Sequence, residues 1–270
     1  MNPFRVLNPN VPERGALGLC ALAIMTKVPQ AGRVKTRLTP PLAPEEAAEL
    51  NKCFLRDTAA AISIACSRRP GSDAGKVQFE RANASQSEAA TVACGIAVYT
   101  PIGAEPAYID ILPADFSLLP QRGEEFGERL FSAIKDLFKC GFASVCLIDS
   151  DSPTVSAENY ALAVELLSTR EDRVVLGPSD DGGYYLIGMK KAYRRLFVQI
   201  DWSTERVLNQ TMQRANEIGL EVKLLPIGYD VDDGASLRRL CNELLADTAA
   251  ADIAPHTRQF LASFVGREKL

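Results

Sequence analysis

Several apolar runs in this chain do not alternate with polar residues. Leu17 to Thr26, Val145 to Ile148, Arg173 to Gly177 and Tyr184 to Met189 each read as a strand covered on both faces, because a strand with one wet face alternates. Thr91 to Tyr99 and Glu221 to Leu225 are strand-like as well. Between these runs the spacing turns helical. Ala47, Leu50, Phe54 and Ala61 trace a stripe from Pro44 to about Ser67, with Glu45, Glu46 and Glu49 at its positive start. Phe126, Leu130, Ile134 and Leu137 mark a second helix that stops at Gly141. Further helices are predicted over Ser156 to Ser168, Thr204 to Ile218 (capped by Ser203 or Thr204), Ala235 to Leu245 and Pro255 to Val265. Alternating strands and helices predict one α/β domain with a mostly parallel central sheet and helices on both faces. Its expected bounds are 17–246, after an irregular, proline-bearing leader over 1–16 and before a C-terminal extension over 247–270. Arg68 to Ala90 reads as a long polar connection.

The composition narrows the class without identifying the chemistry. With 270 residues, 47% hydrophobic and 24% charged, the chain is globular. A net charge of -4 argues against a nucleic-acid partner met through a general basic surface. The seven cysteines form no Cys-x-x-Cys pair and lie mostly in apolar runs, which predicts buried thiols and a reducing compartment. With His256 as the one histidine, zinc sites and histidine-dependent hydrolases are disfavoured. Ala16 to Met25 is too short to span a bilayer and Met1 to Arg14 lacks a signal-peptide profile, so a cytoplasmic protein is expected. Oligomeric state is not legible.

Candidate chemistry gathers in four segments. The buried run Val145 to Ile148 opens onto Asp149-Ser150-Asp151-Ser152-Pro153, two carboxylates where α/β sheets collect their ligands. Hard divalent cations such as Mg2+ or Mn2+ share one or two such carboxylates with substrate phosphates, which points to a nucleotide; the bland reading is a loop capping the next helix. The loop Lys27 to Leu38 carries Lys27, Arg33, Lys35 and Arg37 around Gly32, matching phosphate oxygens, or else is a solvated basic turn. It is neither a Walker loop nor a Gly-x-Gly-x-x-Gly fingerprint. In Gly177 to Tyr185, Gly182 and Gly183 allow close backbone approach to a ligand, and Asp180 or Asp181 is placed to take a proton from an acceptor hydroxyl; Asp-Gly is also a common hairpin turn. Asp230 and Asp232 point the same way in an extended chain, giving a third carboxylate for the metal unless Asp232 or Asp233 caps the helix from Ala235. Trp202 reads as a substrate-pocket wall or a packing residue, and Gln121 to Arg129 as a helix start or a base-recognition loop.

Taken in order, Lys27-x-Pro29-x-x-Gly32-x-Val34-Lys35-Thr36-Arg37-Leu38, Gln121-x-x-Gly123-x-x-x-Gly127-x-Arg129, Asp151-Ser152-Pro153, Gly177-Pro178-x-Asp180-Asp181-Gly182-Gly183-Tyr184-Tyr185-Leu186, Trp202-Ser203-Thr204 and Asp230-Val231-Asp232 resemble the bacterial glycosyltransferase family associated with radical-SAM and selenodomain proteins. The resemblance spans about Leu17 to Leu245 and implies a GT-A-like nucleotide-diphospho-sugar transferase. It implies nucleotide contacts from Lys27, Gly32, Lys35, Arg37 and Gln121, and substrate contacts from Gly182, Gly183, Tyr184 and Trp202. It makes Asp151 the acid that meets metal and diphosphate; the reading of the residues themselves adds Asp149, which is not a feature of the family, and Asp232 as further metal ligands, and Asp180 or Asp181 as base. The first loop is also similar to that of phospholactate and molybdopterin guanylyltransferases. That leaves three expectations open: a metal-dependent glycosyltransferase taking a nucleotide-sugar and a small-molecule acceptor, a nucleotidyltransferase taking a nucleoside triphosphate and a phosphorylated acceptor, or a non-catalytic nucleotide-binding module.

Overall fold

A computed structural model describes residues 4–67, 93–246, 250 and 252–265. The polar connection Arg68 to Ala90 lies outside the described residues. The described residues form eight strands and six α-helices. The strands make one sheet: β1 (Arg5–Val6), β2 (Cys20–Lys27), β3 (Ala93–Thr100), β4 (Ser117–Pro120), β5 (Ser144–Ile148), β6 (Arg173–Pro178), β7 (Tyr184–Met189) and β8 (Glu221–Leu224). Their order is β1-β4-β3-β2-β5-β7-β6-β8. Every pairing is parallel except the two made by β7, which runs antiparallel to both β5 and β6. The six α-helices are α1 (Pro44–Ser67), α2 (Phe126–Cys140), α3 (Ala157–Ser168), α4 (Val207–Glu217), α5 (Gly234–Leu244) and α6 (Pro255–Val265).

The unbroken apolar runs fill two cores, one on each face of the sheet. Leu22, Ile24, Cys146 and Ile148 pack with Leu55 and Ile62 of α1 and Tyr160 and Leu167 of α3. Their sequence neighbours Ala21, Ala23, Val145 and Leu147 point the other way, onto Leu130, Ile134 and Leu137 of α2 and Ala215 of α4. Adjacent strand residues face opposite sides, so a central strand between two helix layers must be apolar at every position. A third cluster lies to one side, where Leu38, Leu50 and Phe54 meet Leu237 and Leu240 of α5 and Leu261 and Phe264 of α6.

Differences from the expected elements have local causes. In the leader, Arg5–Val6 pair with Ser117 and Leu118 as an edge strand, and β4 itself is too short to carry a period. Neither Ser203 nor Thr204 caps α4: Thr204 Oγ1 donates to the Asp201 carbonyl at 2.7 Å, Ser203 takes a φ of 63°, and the helix begins three residues later at Val207. At α5 the cap is Asp233, which accepts the N–H groups of Ala235 (3.0 Å) and Ser236 (2.8 Å), while Ser236 Oγ accepts from the Asp233 N–H.

The start of α6 is capped from another helix. Asp57 of α1, 4% exposed, accepts the N–H groups of His256 (3.0 Å) and Thr257 (2.8 Å), two of the donors that a helix start leaves without partners. Hydrogen bonds to a charged group are each worth about 1.5–3 kcal/mol. Asp57→Ala is therefore expected to lower Tm by roughly 6–20 °C and to speed amide exchange in α6 before the central strands, measured by calorimetry and hydrogen-exchange mass spectrometry.

Candidate active site at the rim of the sheet

Four loops meet beyond the carboxyl ends of β2, β5, β6 and β8, and the antiparallel β7 brings the turn after β6 beside β5. Because β7 runs against β5, its beginning lies beside the end of β5, and the ladder continues with the Asp149 N–H donating to the Tyr185 carbonyl at 2.9 Å. The 179–183 hairpin turn therefore sits next to Asp149 and Asp151. The segment after β8 crosses the same rim: the Asp180 N–H donates to the Gly228 carbonyl (3.1 Å) and the Val231 N–H to the Asp151 carbonyl (2.9 Å). The basic loop after β2 completes the ring.

Lys35 joins these loops. Its Nζ lies 2.8 Å from Asp151 Oδ1 and 2.9 Å from Asp232 Oδ1, and donates to the Val231 carbonyl at 2.7 Å. Its side chain is 5% exposed. Burial alone pulls the lysine pKa down; the Asp151 and Asp232 carboxylates overcome that and hold it above the ordinary value. Asp232 also receives Arg37 Nη2 at 2.5 Å. Burial opposes ionisation of Asp232, but Lys35 and Arg37 outweigh it and lower its pKa. Among the described residues Asp149 is not ion-paired, and the Lys35 charge acts on it only in part. Burial and the neighbouring Asp151 charge push it well above the usual carboxylate range, although Ser152 Oγ donates to it at 2.7 Å.

Two cavities meet at this point. The larger, about 580 Å³, is lined by Asp149, Asp151, Asp180, Asp181, Gly183, Tyr184, Trp202, Glu205, Asp230 and Asp232, among others. The smaller, about 230 Å³, is lined by Lys27, Val34, Lys35, Thr36 and Arg37. Arg37, Ser150, Asp151 and Asp232 line both. Of the residues singled out in the sequence, Gly32, Gln121 and Gly182 line neither cavity. The Gln121 N–H is tied to the Tyr99 carbonyl, and the adjacent Arg122 is held by buried Asp136. Gly182 has a packing reason to be glycine: its φ is 90°, and a Cβ there would lie 2.2 Å from the Glu205 carbonyl oxygen.

A search of solved structures finds the same architecture. A crystal structure from Desulfovibrio desulfuricans G20 named "putative nucleotide-diphospho-sugar transferase" superposes with a TM-score of 0.69 at 25% identity, over 90% of this chain and 98% of that one. The fold is GT-A-like. Looser likenesses are a CMP:2-keto-3-deoxy-manno-octonic acid synthetase in complex with CTP (TM-score 0.48, 10% identity, 82% of this chain and 96% of that one) and glucosyl-3-phosphoglycerate synthase from Mycobacterium tuberculosis (0.45, 11%, 92% and 79%); neither carries any step below. A family model described as "Uncharacterized protein conserved in bacteria (DUF2064)" matches residues 83–204. No curated protein matches. No described helix is long and apolar enough to cross a membrane.

Within this GT-A-like cleft the acidic wall is divided in function. Asp180 is tied to Arg239, whose guanidinium lies 3.8 Å over the Tyr229 ring. Asp181 accepts the Gly183 N–H at 2.8 Å. Trp202 stands against Phe126, ring centroids 5.1 Å apart at 73°, and comes so close to Gly127 that a Cβ there would lie 2.6 Å from its Nε1. Among the described residues no three His, Cys, Asp or Glu side chains are grouped to hold a metal ion. Asp151 and Asp232, both oxygen donors at the seam of the cavities, fit a cation that takes one or two protein carboxylates and completes its shell with phosphates and water.

Asp230 was expected beside Asp232 without a role of its own, and Glu205 and Arg239 were not among the residues expected at the site. The Asp230-x-Asp232 spacing is a usable signal for the first; nothing local marks the other two. Burial, then the charges of Asp181 and Asp232, raise the Asp230 pKa to about 6. An unfolded aspartate ionises near pH 3.9, so between about pH 4 and 6 the folded protein keeps a proton the unfolded chain has lost, and stability falls as pH rises through that window. Asp230→Asn is expected to raise Tm by roughly 1–3 °C at pH 7.5 in the presence of chelator and to leave it unchanged at pH 4, a difference that calorimetry at the two pH values measures.

Proposed function

We propose that this chain is a divalent-metal-dependent glycosyltransferase that takes a nucleotide-diphospho-sugar and a small-molecule acceptor. The observation that carries the reading is the position of Asp151: at the end of β5, 2.8 Å from the Lys35 ammonium, on the seam between a small basic cavity and a larger acidic one. In this reading the diphosphate lies against Lys27 and Arg37, and the sugar extends past Asp151 toward Trp202 and Tyr184. Asp151 and Asp232 hold the cation, with Asp149 behind them; when bound, it supplies positive charge to the diphosphate oxygens. Transfer breaks the bond between the anomeric carbon and the β-phosphate oxygen, so charge develops on the departing diphosphate. Arg37 is 72% exposed along its side chain and paired with Asp232, so its guanidinium stands where that charge develops. Groups that meet charge as it forms act on turnover as well as on binding.

On the acceptor side, Asp181 is the base we assign, because Asp180 is neutralised by Arg239. Gly183 fixes the Asp181 carboxylate through its backbone N–H. Gly32, Gln121 and Gly182 are outside the direct contacts. The lining of the larger cavity supports glycosyl over nucleotidyl transfer: Asp181, Glu205 and Asp230 repel a phosphorylated acceptor and accept hydrogen bonds from a hydroxylated one. We place the transferase unit at 17–246 and the protein in the cytoplasm, the latter on the free state of all seven cysteines.

A thermal-shift screen of nucleoside diphosphates, triphosphates and nucleotide-sugars, with and without Mn2+, tests this reading. Nucleotide-sugars and diphosphates should raise Tm only with the metal, since a ligand bound to the folded state alone stabilises it. Preferential stabilisation by triphosphates, with pyrophosphate released, would move the reading to nucleotidyl transfer. In the matching transfer assay Asp151→Asn is expected to lose about 100-fold or more in turnover while keeping its circular dichroism spectrum.

A further inference from the structure

Lys35 sits in the basic loop where a phosphate-gripping side chain is expected, yet its geometry is that of an internal counter-ion. A lysine ammonium has three protons to donate. Here three acceptors surround it: Asp151 Oδ1, Asp232 Oδ1 and the Val231 carbonyl, at 2.8, 2.9 and 2.7 Å. The side chain is 5% exposed, whereas that of Arg37, two residues on, is 72% exposed. The seat is fixed from below by Phe54, whose ring centroid lies 5.5 Å from Nζ, and from the chain by a left-handed backbone at Lys35 (φ 47°), a conformation a non-glycine residue adopts only when its surroundings impose it.

We propose that Lys35 is the resident cation of the Asp151–Asp232 pair and sets its metal affinity, so that a divalent ion binds together with the nucleotide's diphosphate and not alone. This rests on the reading that those two carboxylates hold the metal. The charge balance gives the mechanism. Lys35 and Arg37 already offset the two carboxylates, so a bare dication entering between them gains little net attraction and meets an ammonium that cannot leave for water. A dication that arrives with a diphosphate brings anionic oxygens with it, which complete its shell and give the ammonium a new acceptor. Lys35 is therefore a positioning residue: it holds the two carboxylates in place and makes metal loading conditional on nucleotide.

The test counts free Mn2+ by electron paramagnetic resonance in the presence of the full-length chain, without nucleotide and with UDP, GDP, CDP or ADP, each corrected for binding by the diphosphate itself. Wild type should bind Mn2+ at least about tenfold more tightly with its preferred diphosphate than without any, and Lys35→Met should bind bare Mn2+ at least about tenfold more tightly than wild type, the scale on which neighbouring groups tune a metal site. Adding Asp151→Asn to Lys35→Met should remove the gain. Lys35→Met binding bare Mn2+ no more tightly than wild type overturns the inference while leaving the metal reading intact. If circular dichroism shows that Lys35→Met does not fold, wild type decides alone: bare Mn2+ bound as tightly as with any diphosphate overturns it. Mn2+ bound by wild type under none of these conditions overturns both the inference and the metal reading.

Discussion

One buried ammonium holds the rim of this sheet together. Lys35 draws on three parts of the chain that are far apart in sequence: the loop after β2, Asp151 after β5, and Val231 with Asp232 after β8. Such a group is a poor source of net stability, because desolvating the charges offsets most of their attraction, but removing one partner leaves the others buried and uncompensated, at about 3–5 kcal/mol. Its value lies in fixing geometry. The backbone bond from Val231 to the Asp151 carbonyl makes the same connection a second time, so the two carboxylates are set by main chain as well as by side chain.

From that junction the cleft separates by charge. On one side lie the exposed cations Lys27 and Arg37; on the other lie carboxylates under an aromatic wall. The antiparallel β7 brings this about. Because β7 turns straight back after β6 and pairs with β5, its first residues lie beside Asp149 and the turn before them faces the same cleft. Glycines then allow close approach within the protein itself: Gly127 admits Trp202, and Gly182 admits the Glu205 backbone.

The central strands and their helices were legible because burial on both faces leaves a simple trace, the absence of alternation in Ala21–Met25, Val145–Ile148 and Arg173–Gly177. Short edge strands leave none: Arg5–Val6 has two exposed residues, and Ser117–Pro120 ends on a proline. Within the site, the carboxylates were legible from their place behind apolar runs, and Asp149, Asp151, Asp180, Asp181 and Asp232 do line one cavity. The partners were not. That Lys35 faces inward while Arg37 faces solvent depends on a left-handed residue and on contacts nearly two hundred positions away, and Arg239 reaches Asp180 from a helix whose pattern reports only its buried stripe. Gly182 shows the opposite error: a doubled glycine suggests a ligand, where packing against Glu205 already requires it.

So many carboxylates in one cleft coexist only because nearly every one has its own compensation. Asp151 and Asp232 share Lys35, Asp180 has Arg239, Asp233 accepts the first N–H groups of α5, and Asp149 takes the Ser152 hydroxyl while burial disfavours its ionisation. Asp230, like Asp149, is poorly compensated. A Ser179 hydroxyl at 3.3 Å does not offset its burial and the charges of Asp181 and Asp232, which is why it keeps its proton up to about pH 6. With Lys35 and Arg37 offsetting Asp151 and Asp232, the repulsion left in the cleft is concentrated at Asp149 and Asp230, and it lowers stability in return for a site crowded with carboxylates, the usual relation between a functional site and the fold that carries it.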